Sequence, residues 1–368
     1  MVEGRHALWT HITPAKKELI RSFLNHVNLE IVKRARPSST FDFQSASVGN
    51  LFLTGARLFT GSFESAIYLL ASIGAVPDTV QVVPAINSNF SHHISAGLED
   101  GSVITGQTAI SHPSAPTALA PGKGQGQGQG RQGAGGEQRR SSVDGEEQDR
   151  IEDANLPGSL ATLREKYITF SKEWEEDLPA RIRRIWYINP YGQEIRPTAN
   201  PKAVDVIGRA ECVVYSIGSL YTSIVPSIIL RGVSHALASP TIRYKVLILN
   251  GSLDRETGPS RAPLSALDFV AAIARTGAER IGDHEELDPC NYRAFVTHLI
   301  HLEGEGTPVV DKARFMELGI ECIRLYGRKA GSGKGMKYDG KALSQALEVI
   351  LGRRDPRTDR SRRNTLEH

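Results

Sequence analysis

From residue 182 onward, short apolar, β-branched runs alternate with stretches of helical periodicity, and this alternation restricts the fold more than any other feature of the chain. Residues 182–188, 212–217, 245–249 and 320–325 read as strands. Residues 201–207, 225–238, 267–274, 292–302 and 341–351 read as helices. Strands separated by helices imply βαβ units and a mostly parallel sheet covered on both faces. The expected fold class is therefore α/β, a three-layer α/β/α Rossmann-like arrangement.

The first hundred residues follow another pattern. Thr13 and Pro14 suit a helix start, and Leu19, Ile20, Phe23, Leu24, Val27 and Ile31 then recur at helical spacing. Helices over 48–59 and 63–73 follow, separated by Gly61 and Ser62, and residues 79–83 read as a strand. Residues 92–98 and 103–109 flank Glu99, Asp100 and Gly101, the signal of a β-hairpin. From about residue 112 the composition shifts, and 122–136 is almost wholly Gly, Gln and charge. So few apolar side chains predict a disordered insertion. A loose basic tail is expected after Gly352. The expected organisation is a helical and hairpin part (1–111), the insertion (112–157), the Rossmann-like part of the same domain (158–352) and the tail (353–368).

The net charge of +3 makes no bulk case for nucleic acid, so any basic patch has to be argued locally. Nucleic acid and membrane are accordingly not expected partners. Cys212, Cys290 and Cys322 are scattered and odd in number, which fits a reducing compartment. No run approaches the ~18 apolar residues of a membrane helix. The cytoplasm is the expected location.

Chemistry is concentrated where strands end. The apolar run from Cys212 leads into Gly218, Ser219, Leu220, Tyr221, Thr222 and Ser223, and then into a helix. Ligands of open α/β sheets bind at the carboxyl ends of strands, and a helix start offers free amides to anions. These six residues are the candidate phosphate site; a capped strand–helix turn fits them equally well. Asn250, Asp254 and Glu256 follow the next strand and can touch a ligand or a divalent ion, or form a solvated loop. Gly49 and Asn50, after Ser47, open a helix and can contact a ligand or form its cap.

Other features carry less. Gly128, Gly130 and Gly133 match a dinucleotide fingerprint but lie inside the low-complexity repeat. The run from Gly331 to Gly335 is like a P-loop, yet Arg328 stands where its first Gly belongs. His298 and His301, three apart on an expected helix, are too few for zinc, and no protein-held metal site is expected. His92 and His93 point to opposite faces of their strand. Ser141, Ser142 and Thr365 each follow an Arg pair and suit basophilic kinases. No Ser-His-Asp or Cys-His set can be assembled.

Together these residues resemble the CofD-like family, which includes the 2-phospho-L-lactate transferase and the gluconeogenesis factors; the likeness is greatest to its fungal branch. The resemblance rests on 201–232 with the loop from Gly218 to Ser223, on Phe43, Gln44 and Ser47 to Asn50, on Leu98 to Gly101, and on Asn250 with Glu256 and Thr257. Val2 to Trp9 resembles an interior stretch of fungal members, so an N-terminally truncated domain is expected. Ser216, Ile217 and Phe269 depart from bacterial members. The resemblance implies a phosphorylated or nucleotide-linked small-molecule partner, Mg²⁺ as cofactor and compatibility with a homodimer. It implies a transferase, or else a non-catalytic nucleotide-sugar regulator or an inactive fragment.

Overall fold

The computed structural model describes residues 6–34, 46–88, 91–111, 160, 163, 177–216, 218–278, 287–331 and 335–352. The insertion, the basic tail, the kinase motifs and Phe43 with Gln44 lie outside them. The chain divides into two compact units.

The first unit comprises residues 1–93, 105–175 and 188–195. Helices α1 (Pro14–Arg34), α2 (Val48–Thr60) and α3 (Phe63–Ile73) form its packed part. Phe23, Phe52, Ala56 and Ala66 are buried together, with the Phe23 and Phe52 rings edge to face at 5.2 Å. A Cβ on Gly55 would lie 2.1 Å from the Phe23 carbonyl oxygen, so this glycine sets how closely α1 and α2 approach. Gly61 ends α2 at φ 71°, and the Ser62 side chain caps α3 by accepting from the Ser65 amide. Residues 79–83 form no strand; Val80 and Val82 are exposed, and β-branching alone gives them no partner. Helix α4 (Gln107–Ser111) replaces the outer half of the expected second hairpin arm.

The second unit comprises residues 94–104, 176–187 and 196–368. The hairpin of β1 (His93–Leu98) and β2 (Val103–Thr105) turns at Gly101, where φ is 85°. Strand β1 lies between β2 and β3 (Ile182–Ile188). The two-residue β4 is Glu194–Ile195, in the first unit.

The parallel sheet runs β5 (Cys212–Tyr215), β6 (Tyr244–Ile248), β7 (His298–Leu302) and β8 (Glu321–Leu325), in that spatial order. A hairpin of β9 (Gly327–Lys329) and β10 (Met336–Tyr338) follows. Helix α10 (Gly340–Ile350) covers one face, where Val246, Ile248 and Ile300 pack with Ala346 and Ile350. Alternate residues Leu247, Leu249 and Leu299 are buried on the other face. Among the described residues no helix is long and apolar enough to cross a membrane.

Two expected helices changed on folding. Residues 292–302 form no α-helix; a 3-10 helix (Pro289–Ala294) leads into β7. Their apolar spacing fits a buried strand as well as a helix, and the pairing with β6 and β8 decides. The 225–238 stretch splits into α6 (Val225–Ile228) and α7 (Val233–Leu237). Arg231 is drawn out of helical bonding because its amide donates to Pro197 and its carbonyl accepts from Ala199. Helices α5 (Pro201–Gly208), α8 (Ala266–Ala278) and α9 (Lys312–Glu317) complete the fold.

Gly55→Ala tests the packing of the first unit. The added methyl meets backbone rather than a movable side chain, so α1 and α2 must separate. Urea unfolding should show a loss of roughly 1–3 kcal/mol; unchanged stability would contradict the close approach.

Candidate functional site

Strand β5 ends at Tyr215, and the chain turns sharply: the Gly218 amide donates to the Ser216 carbonyl at 2.8 Å. Residues Leu220–Ile224 then form one wide π-helical turn, a form concentrated at functional sites. The amides of Ser223 and Ile224 both return to the Ser219 carbonyl. A Cβ on Gly218 would lie 2.5 Å from the Ser223 Cβ. The missing side chain at Gly218 is thus what lets the loop fold onto itself.

The Asn250 loop closes over the same turn. Asn250 Nδ2 donates a long 3.4 Å bond to the Gly218 carbonyl. The two strand-end segments therefore meet at the carboxyl end of β5 and β6. Beyond Asn250, Asp254 and Thr257 form a reciprocal capping box around a 3-10 turn (Arg255–Thr257). That turn points Glu256 inward, where it is 1% exposed.

Glu256 is the corner of the site. Its Oε2 accepts from the Tyr221 and Thr222 amides, each at 3.0 Å, and its Oε1 accepts from the Thr222 hydroxyl. Two of the amides expected to greet an anion thus already hold the protein's own carboxylate. Burial pushes the Glu256 carboxyl up to about 7, against the lowering pull of the Thr222 and Tyr221 bonds. Leu220 and Tyr221 point into the interior, and the Tyr221 hydroxyl donates to the Ile182 carbonyl. Of the six loop residues, what remains for a ligand is the amides of Ser219 and Leu220 and the hydroxyls of Ser219 and Ser223. Among the described residues those two amides meet no acceptor.

Two further groups emerge from the folded sheet alone. The Tyr215 hydroxyl and both ring nitrogens of His301 are buried without hydrogen-bond partners among the described residues. Tyr215 is in register with Leu247 and, across β7, Leu299, two residues before His301, so both side chains belong to one sheet face. Burial lowers the His301 pKa and favours the neutral ring. Buried polar atoms of this kind are uncommon, because such groups are normally satisfied. Short range patterns cannot reveal them, because pairing across strands creates the environment. His298, by contrast, lies on the opposite face from His301, bonded to the Thr297 hydroxyl at 2.8 Å; the expected helical pair of histidines does not exist.

The acidic side chains here do not form a cage for Mg²⁺. Asp254 and Glu256 are committed to caps, Asp268 accepts from the amide and hydroxyl of Ser265, and no metal-type cluster of three exists among the described residues. Phe269 is buried in α8. Gly49 and Asn50 lie exposed in the first turn of α2, in the first unit, with Ser47 at the cap position and Asn50 accepting from the Thr54 hydroxyl through its carbonyl.

The raised Glu256 pKa has a defined consequence. A carboxyl that ionises near 7 when folded and near 4.5 when unfolded binds its proton more tightly in the native state. Its stabilising contribution is complete below about pH 4.5 and lost as pH rises through 7. Glu256→Gln should flatten that part of the stability profile in urea unfolding between pH 5 and 8. An identical slope in both proteins would remove Glu256 as the titrating group.

The family model described as 2-phospho-L-lactate transferase CofD matches residues 15–324. The chain is 37% identical to "Uncharacterized protein YNL011C" of Saccharomyces cerevisiae over 363 residues, covering 95% of this chain and 78% of that protein. Two crystal structures of protein BH3568 from Bacillus halodurans, one titled as a member of the UPF0052 family, superpose with TM-scores of 0.52 at 18% identity. They cover 92% and 90% of this chain and 82% of theirs, and they show the shared fold. On the length of the family match, the chain belongs to the CofD family.

Proposed function

We propose that this protein binds a phosphorylated or nucleotide-linked small molecule at the carboxyl ends of β5 and β6 and acts as a phosphate-group transferase. The observation that carries the reading is the meeting of the Gly218 turn with Asn250, beside the unengaged amides of Ser219 and Leu220. Those amides would take the phosphate oxygens, with the Asn250 side chain fixing the neighbouring group. Glu256 would hold Tyr221 and Thr222 as a stiff platform beneath them. The family description as a 2-phospho-L-lactate transferase supports transfer as the reaction.

In that reaction an acceptor hydroxyl oxygen bonds to phosphorus as the bond to the departing nucleotide phosphate breaks, and the hydroxyl proton passes to solvent. Positioning and charge stabilisation dominate such chemistry, and no covalent nucleophile is required. A second reading, a non-catalytic nucleotide-sugar regulator, is favoured by the commitment of Asp254 and Glu256 to internal caps, which leaves neither as a base.

Ser219 provides a clean test. Its φ of −60° is the value proline adopts, so Ser219→Pro deletes one amide while keeping the backbone path. Nucleoside diphosphates and nucleotide sugars should raise the melting temperature of the native protein, with and without Mg²⁺. Ser219→Pro and Asn250→Ala should each weaken binding about tenfold or more. Consumption of the bound compound with an acceptor alcohol marks a transferase; persistence marks the regulator. Unchanged affinity in both variants would move the ligand elsewhere.

A further inference from the structure

The β9–β10 hairpin carries two cations, Arg328 and Lys337, that make no ion pair among the described residues. Lys337 stands directly opposite Arg328 in the hairpin register, and both are exposed. Like charges at opposed strand positions repel. The pairing is imposed from the inner side. The Met336 amide donates to the Gly251 carbonyl at 2.7 Å, and the Tyr338 hydroxyl donates to the Leu249 carbonyl at 2.7 Å. At Gly327 a Cβ would come within 2.6 Å of the Lys337 carbonyl oxygen.

An aromatic ring completes the surface. Tyr326 is 80% exposed, and the Arg324 guanidinium sits 5.3 Å from its ring centre. Arg324 is itself fixed by Glu303 at 2.6 Å. Arg324 and Tyr326 are thus in contact, and two residues on Arg328 stands paired with Lys337. The result is an exposed ring just ahead of a firmly anchored hairpin that carries two facing cations.

We propose that this surface binds single-stranded nucleic acid, with a base stacked on Tyr326 and backbone phosphates against Arg328 and Lys337. Stacking on an exposed ring beside backbone-tracking cations is how unpaired strands are held without sequence readout. A mononucleotide calls for an enclosing pocket, whereas an open hairpin needs an occupant that collects several contacts along its length. A duplex hides the faces of its bases from Tyr326. The small net charge of the chain gives no hint of this surface, because the cations are gathered locally. It is separate from the strand-end site, whose Ser219 and Asn250 do not take part.

The test is fluorescence anisotropy of a labelled 12-nucleotide RNA with the full chain between 50 and 200 mM salt. Tyr326→Ala should weaken binding about tenfold, and Tyr326→Phe should restore it. Arg328→Gln with Lys337→Gln should reduce the magnitude of the salt slope by about 1.4, two phosphate contacts at about 0.7 each. Circular dichroism confirms that each variant is folded. Retained affinity in both variants would overturn the proposal, as would a duplex bound as tightly as the single strand. So would complete displacement by inorganic polyphosphate combined with no effect of Tyr326→Ala.

Discussion

The carboxylate of Glu256, bonded to the amides of Tyr221 and Thr222, ties the two strand-end loops into one body. Without that bond the turn after β5 would present unpaired amides, and the segment after β6 would bury a carboxyl with no donor. A buried acceptor and buried donors that lose each other forfeit roughly 1–3 kcal/mol per group. The interaction therefore fixes the loop shape on which Gly218, Ser219 and Asn250 depend.

This arrangement changes what a Gly-Ser-rich strand end means. Such a segment reads as an anion cradle because free amides gather at a helix start. Here half of that cradle is already filled by an internal anion. The filled half sets geometry, and the unfilled half, at Ser219 and Leu220, retains capacity for a ligand. Structure and recognition are divided between adjacent peptide groups.

Much of this was legible in the sequence. The strand at Cys212–Tyr215, its turn at Gly218 and the second loop at Asn250 all followed from apolar runs ending in small polar residues. Helices α2 and α3 followed from periodicity and the Gly61 stop. The failures have physical causes. Residues His298–Leu302 are apolar at spacings that two periods satisfy, and only neighbouring strands decide between them. The β9–β10 hairpin is charged and glycine-rich, so hydrophobic patterning could not reveal it. Glu256 was visible as a candidate contact, but its true partner lies 34 positions away, beyond any local rule.

Gly251 has a consequence reaching past its own turn. A Cβ there would lie 1.9 Å from the Met336 carbonyl, and its own carbonyl receives the Met336 amide. Backbone is pressed on backbone, one residue from Asn250, with no side chain between to absorb a shift. A tug on the outer ribbon would thus be felt at the strand-end loop as displacement, in the manner of a lever with no slack.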